Sequence, residues 1–588
     1  MNTFPASHAE EHAGHRARPL FHLTFALTLT ACAATDAPQT QEDAPTVTAS
    51  KRPHIVLVMA DDMGYTDIGC YGSEIRTPTL DRLAADGVRM TQFHNAARCC
   101  PTRASLLTGL YPHQAGIGLM TGDRGHDAYR GVLSKDCITL AEALGDSGYS
   151  TYMAGKWHVT PQTRPGGPTD SWPTGRGFDR FYGTITGAGS FWDPATLCRG
   201  DSFITPENDP EYSSEGFYYT DAISDEGARF VREHLEGSEN PLFLYVAYTS
   251  AHWPMHAPEE DIARYDGVYE QGYAPIRSAR LERGRELGVL DPAWELSPQR
   301  EPWSKNEHQA WDERNMQVYA AMVERMDAGI GRVIAELERA GELDNTLFVY
   351  LQDNGGCAEG YGRQSNESKR PVEPLEPLGV DGLQTQIWPP MQTRDGHWVR
   401  TGPEVMAGAE DTFVAYGAGW ANASNTPFRG YKHDGYEGGT ATPFVVHWPA
   451  GLSAAARGSV VDEPAHLIDV MPTFLAAAKA DYPESRGGIA IQPAEGVDLL
   501  TAIRGTPLED DRTFCLEHHG NQALRRGRWK IVSQYRKDAV RQWELYDLAA
   551  DRTELHDLAA AQPERLEAMI ADWERWATRV GVVPWPMK

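Results

Sequence analysis

Basic charge is what this 588-residue chain has least of. Its 54 Lys and Arg stand against 82 Asp and Glu, a formal net charge of −28. A nucleic-acid-binding face needs clustered cations, and so does a polybasic surface that docks on anionic lipid; both are excluded. An anionic substrate is not, because a few buried cations can dominate the local field inside an acidic protein. Cysteine is sparse, with eight residues at 32, 70, 99, 100, 137, 198, 357 and 515 and no C-x-x-C pair. A C-x-x-C zinc site and a disulfide scaffold are therefore absent, and spacing assigns no individual disulfide. Beyond residue 31 no segment approaches 18 continuous apolar residues, so none is expected to cross a bilayer as a helix. There is no internal repeat. Disorder is excluded for most of the chain by 10% aromatic residues and 16 tryptophans.

The N-terminus reads as an export signal. Arg16 and Arg18 precede an apolar stretch from Leu20 to Ala31 that is too short to span a membrane. It closes on Leu29-Thr30-Ala31-Cys32, which resembles the bacterial lipoprotein box. That resemblance implies a signal over residues 1–31 and a lipidated Cys32. A polar tether over 32–52 then follows, on a periplasmic or outer-membrane lipoprotein of a bacterium.

From Pro53 onward one device recurs: an unbroken apolar run, rich in β-branched or aromatic residues, stops abruptly at polar ones. Such runs are how strands buried on both faces read. Ile55 to Met59 ends in Asp61-Asp62-Met63-Gly64, and Val88 to Phe93 leads to Arg98-Cys99-Cys100-Pro101. Tyr149 to Ala154 stops at Gly155-Lys156-Trp157-His158, Leu242 to Tyr248 is followed by His252, and Leu347 to Leu351 stops at Asp353-Asn354. Helical patterns intervene, the longest carried by Val318, Met322, Met326, Ile330, Val333 and Leu337 before Gly341. Alternating helices and buried strands indicate an α/β fold with a largely parallel sheet, whose ligand site lies beyond the carboxyl ends of the strands. Every polar cluster above sits at such an end. Residues 257–306 and 359–425 lack sustained periodicity and read as lids or substrate loops. After about residue 508 short strands and an amphipathic helix over Pro563 to Val580 suggest a small α+β subdomain.

Asp61, Asp62, Asp353 and Asn354 supply three carboxylates and an amide oxygen. Hard oxygen donors suit calcium or magnesium and not zinc. Either pair alone reads as a turn or cap, but two pairs at corresponding strand ends favour a metal. Cys99 lies at the start of a helix opened by Pro101, where free N–H groups favour anions, with Arg103 close by.

The run Cys99-Cys100-Pro101-Thr102-Arg103-Ala104-Ser105-Leu106-Leu107-Thr108-Gly109 resembles the C-x-P-x-R-x-x-L-L-T-G signature of the type I, formylglycine-dependent sulfatases, most closely the bacterial arylsulfatases. The Asp61, Lys156 and Asp353 motifs, Ala251-His252-Trp253-Pro254 and Arg429-Gly430-Tyr431-Lys432 agree in order. The resemblance implies an alkaline-phosphatase-like fold with a catalytic domain over 53–508 and a C-terminal subdomain over 509–588. It implies that a formylglycine-generating enzyme oxidises Cys99 to an aldehyde, whose hydrate attacks the sulfur of a sulfate ester and later expels sulfate. By the same resemblance Asp61, Asp62, Asp353, Asn354 and the modified Cys99 hold Ca2+. Arg103, Lys156 and Lys432 hold the sulfate oxygens, His158 is the base and His252 the acid. Three carboxylates, Ca2+ and three cations leave the site at +2 for an aryl or carbohydrate sulfate ester.

The chain departs from the family pattern at Thr440-Ala441-Thr442-Pro443, where many members carry an arginine, and at Val159-Thr160. Cys100 reads as packing. His113 reads equally as site support or structure; Glu517-His518-His519-Gly520-Asn521 could reach the substrate from the C-terminal subdomain, but reads better as the cap of a strand. His252 and His256 have metal-like spacing, but Pro254 between them argues against one helix presenting both. Two other functions compete with sulfate ester hydrolysis: a phosphonate monoester or phosphodiester hydrolase, and a silent sulfated-glycan-binding lipoprotein.

Overall fold

Strands buried on both faces must be apolar throughout, and the apolar runs become the centre of one large sheet. The computed structural model describes residues 51–364, 373–388, 391–509 and 511–587. The expected export signal, Cys32 and nearly all of the tether lie outside the described residues. The sheet is built from β1 (His54–Ala60), β2 (Val88–His94), β3 (Ser150–Gly155), β4 (Arg180–Thr184), β5 (Leu197–Arg199), β6 (Ser202–Phe203), β7 (Leu242–Ala247), β8 (Thr346–Gln352), β9 (Ala441–His447), β10 (Ser459–Val461) and β11 (Ala465–His466). Its order is β10-β2-β9-β8-β1-β7-β3-β4-β5-β6, with β11 also paired to β2. Strands β8, β1, β7, β3 and β4 run parallel. Strand β9 runs antiparallel to both β8 and β2, which leaves β2 pointing the same way as β1.

Alternate residues of β1 divide between two cores. Val56 and Val58 join one apolar layer, with the helices Tyr219–Gly237 and Gln309–Arg339. Ile55, Leu57 and Met59 join the other, with Cys99–Thr108, Leu140–Asp146 and Val470–Ala478. This is a sheet sandwiched between helices, as an α/β fold requires.

Beyond it, Thr513–His518, Asn521–Arg526, Trp529–Ser533 and Glu544–Asp547 form a four-stranded antiparallel sheet covered by the helix Pro563–Val580. Its apolar face packs with Tyr111 and Ile468 of the larger body. A buried ionic knot reinforces the seam: Glu437 binds Lys530 Nζ at 2.8 Å, Arg552 Nε at 2.8 Å and His94 Nε2 at 3.1 Å.

One long insertion differs from expectation. Within 257–306, Tyr273–Glu286 is a helix whose Arg280 is fully buried, bonding Asp67 at 2.6 Å and Glu74 at 2.8 Å. Asp67 in turn accepts from Gly64 N at 2.6 Å, so this insertion props the Asp61-Asp62 loop instead of covering it. The seven described cysteines are all buried and unpaired. No helix among the described residues is long and apolar enough to cross a membrane.

Candidate active site

The register of the sheet brings the strand-end clusters together. Ala60 stands opposite Gln352, Met59 opposite Ala247, and Gly155 opposite Ala247. Backbone bonding continues past the strand ends: Asp353 N donates to Ala60 O at 3.1 Å and Lys156 N to Ala247 O at 2.7 Å. Asp61, Asp353 and Lys156 are thereby fixed side by side, though nearly 300 residues separate the first two. Asp62 and His158 both take left-handed backbone, at φ 57° and 56°. Such conformations cost a non-glycine residue energy and cluster at functional sites.

All ten residues predicted for the site lie within one connected group. Arg103 Nη2 donates to Asp353 Oδ2 at 2.9 Å and to Asp61 Oδ2 at 3.4 Å. Lys156 Nζ bonds Asp61 Oδ2, and Lys432 Nζ bonds Asp62 Oδ2 at 2.7 Å. Asn354 Nδ2 donates to Asp62 Oδ1 at 2.7 Å. His252 donates through Nδ1 to its neighbour Trp253 O at 2.6 Å, which leaves Nε2 facing Asp62 Oδ2 at 3.4 Å and Lys432 Nζ at 3.5 Å. Cys99 opens the helix Cys99–Thr108, with its sulfur grouped with those of Cys100 and a ring nitrogen of His158.

The electrostatics follow from burial against pairing. Burial pushes the Asp61 carboxyl well above the usual range, and Asp353 beside it adds to the effect, against Lys156 and Arg103. Burial would do the same to Asp62, but His252 and Lys432 outweigh it and hold this carboxyl at about 2. A hydrogen bond from Cys100 pulls the Cys99 thiol well below the ordinary range despite burial, helped by Lys156, His158 and Arg98. Burial lowers His158 to about 4, so its ring is neutral at neutral pH.

Three contributors were not visible in the sequence. Glu359 accepts from Trp253 Nε1 at 2.7 Å and lies 3.9 Å from Lys432 Nζ. Tyr245 OH stands 3.5 Å from Arg103 Nη1. Gly187 lies against the ring of His158. Other candidates fall elsewhere. His256 is bound to Thr412 O at 2.7 Å and Phe191 N at 3.4 Å, and His113 to Glu517 Oε2 at 3.0 Å. Glu517 also closes the turn before Gly520, through Oε1 at 2.7 Å.

The sulfatase family model matches residues 53–480, and that of the N-sulphoglucosamine sulphohydrolase C-terminal region matches 431–573. The chain is 32% identical to an uncharacterised sulfatase of Schizosaccharomyces pombe, over 91% of this chain and 95% of that one. It is also 32% identical to the arylsulfatase of Klebsiella aerogenes, over 76% and 91%. Among solved structures, Ps i-CgsB in complex with k-i-k-neocarrahexaose superposes with a TM-score of 0.61 at 23% identity, covering 92% of this chain and 94% of that one. On the matched family, the arylsulfatase relative and the shared fold, the chain belongs to the type I sulfatases and is a sulfate ester hydrolase.

Proposed function

We propose that this enzyme cleaves sulfate monoesters through a formylglycine made from Cys99 by a formylglycine-generating enzyme, with a divalent cation, calcium before magnesium. The observation that carries this reading is the surrounding of Cys99: a buried thiol at a helix start, beside His158 and Lys156 and one strand end from three carboxylates. The donor set fits a hard cation. Asp61 Oδ1 and Asn354 Oδ1 are buried without any hydrogen-bond partner, an uncommon expense for oxygens that a metal would satisfy. Asp61, Asp62, Asp353 and Asn354 would hold it, together with the modified Cys99. Formylglycine supplies the nucleophile and the cation polarises the oxygens around it.

The chain's own residues do the rest. With the carboxylates taken up by the cation, Arg103, Lys156 and Lys432 bind the sulfate oxygens and stabilise charge that develops as the ester bond breaks. Burial lowers His252 to about 3, so with its Nδ1–H held by Trp253 O the ring faces the site through a bare Nε2; only as the imidazolium, after taking up a proton there, does it deliver one to the departing alcohol. His158, neutral and with Nδ1 unpartnered, accepts a proton when sulfate is released. Beside His252, Trp253 meets Trp388 at a tilt, with centroids 4.5 Å apart, and Tyr361 edge-on at 4.8 Å. Trp388 remains 42% exposed, a ring platform that suits an aryl or sugar leaving group. The N-terminal segment through Cys32 would export and lipidate the enzyme.

The test is the mass of the Cys99 peptide from protein made in its native host, together with turnover of Cys99→Ala. An aldehyde in place of the thiol, and loss of all measurable turnover at unchanged thermal stability, are expected. An unmodified cysteine, or near-wild-type activity in the variant, overturns the mechanism. Faster turnover of aryl phosphodiesters than of aryl sulfates would instead make the enzyme a phosphodiester hydrolase.

A further inference from the structure

We propose that His433, His518 and His519 form a second metal site, distinct in chemistry from the oxygen-lined one, that binds one zinc-class transition-metal ion. One ring nitrogen from each histidine lies within 4.8 Å of the others. They come from two places: His433 directly follows Lys432, whereas His518 ends a strand of the C-terminal sheet and His519 begins the turn after it. Three imidazoles without carboxylate or thiolate suit zinc, cobalt, nickel or copper, and not calcium or magnesium.

The independent observation is His518. Its side chain is fully buried, yet neither ring nitrogen has a hydrogen-bond partner, and His433 Nδ1 is likewise buried and unpartnered. A buried imidazole with both nitrogens unmatched is costly, and an ion is one of the few things that resolves it. His433 at φ 81° and His519 at φ 52° both take left-handed backbone, which costs a non-glycine residue energy. Burial lowers all three histidines below their ordinary value, so they stand as neutral ligands.

The surroundings supply what such a site needs. Glu359 Oε1 lies 3.6 Å from His433 Nε2, beyond a hydrogen bond; were Arg98 to release that nitrogen, Glu359 would be the group to take its N–H and leave the unpartnered Nδ1 for the metal. Arg98 Nη1 now donates to His433 Nε2 at 2.8 Å; it has Glu359 Oε1 at 3.6 Å as its alternative partner. Trp585 stacks on His519 at 4.9 Å and shields one side. An ion here would tie the loop carrying Lys432 to the C-terminal sheet. The inference does not depend on the formylglycine mechanism.

The experiment uses tag-free full chain with calcium present to fill hard-oxygen sites. Co2+ is titrated and followed by its visible absorption, then displaced by Zn2+, and thermal unfolding is recorded with and without Zn2+. One Co2+ per chain, displaced by Zn2+, and a raised Tm are expected. His519→Gln, at a partly buried position and able to fold, should weaken binding about tenfold or more, with the metal-free Tm unchanged. Cys99→Ala should bind as the parent does, which separates this site from the catalytic one. Absence of a cobalt band, or a band that survives both His519→Gln and His433→Ala, overturns the proposal.

Discussion

A Cβ placed on Gly187 would stand 1.9 Å from Cε1 of His158 and 2.3 Å from its Nδ1. The glycine does not occupy left-handed backbone, so its conformation would accept alanine, and the whole effect of a substitution falls on the imidazole. Gly187→Ala should therefore displace His158 and lower kcat by about 10²-fold with little change in KM, since general-base assistance is typically of that size or more. The double variant with His158→Ala should be no slower than His158→Ala alone. An unchanged kcat in Gly187→Ala would show that His158 does not act as the base. The residues proposed to act in catalysis were legible in the sequence because each interrupts an apolar run or sits in a motif. Gly187 and Glu359 interrupt nothing. Their partners lie in other segments, and only the folded chain brings them together.

Among the elements, the helix Tyr273–Glu286 escaped sequence reading for a definite reason. Its buried positions are Tyr273, Arg277, Arg280, Leu281 and Gly284, so the helical spacing is present but carried largely by arginines and a glycine. Hydrophobic periodicity cannot register a face whose burial depends on ion pairs made elsewhere. The seam at Glu437 is of the same kind. Within it burial raises Glu554 to about 7, against Lys530 at 2.9 Å and with Glu437 adding to the rise. A carboxyl whose folded value exceeds its unfolded one, near 4.5, favours the folded state fully below that lower value. The contribution is lost as pH climbs through about 7. The parent should therefore lose thermal stability from pH 5 to pH 8 relative to Glu554→Gln, whose amide still accepts the bond now made by Glu437 N at 2.7 Å. Parallel Tm curves for the two proteins across that range would show that Glu554 does not titrate there.

For the molecule as a whole, the strand ends read from sequence converge because a parallel sheet points its carboxyl ends one way, and this much needed no coordinates. The division near residue 508 is a different matter. Sequence texture changes there, yet the family model for the C-terminal region begins at 431, well inside the expected catalytic domain. Residues 51–588 cluster as one unit. The physical link is the apolar contact of Tyr111 and Ile468 with Trp573 and Trp576, together with the Glu437 knot, whose charges come from both sides of residue 508. Separating the two sides would leave Glu437 buried without Lys530 and Arg552, and breaking a buried ion pair by removing one partner costs about 3–5 kcal/mol. A domain that pays this on detachment does not melt alone. Scanning calorimetry of the chain from residue 51 should show a single cooperative transition, and Glu437→Ala should lower its midpoint without splitting it. Two resolved transitions in the parent would mean that the C-terminal sheet holds its fold independently, and that the boundary read from the sequence is a true one.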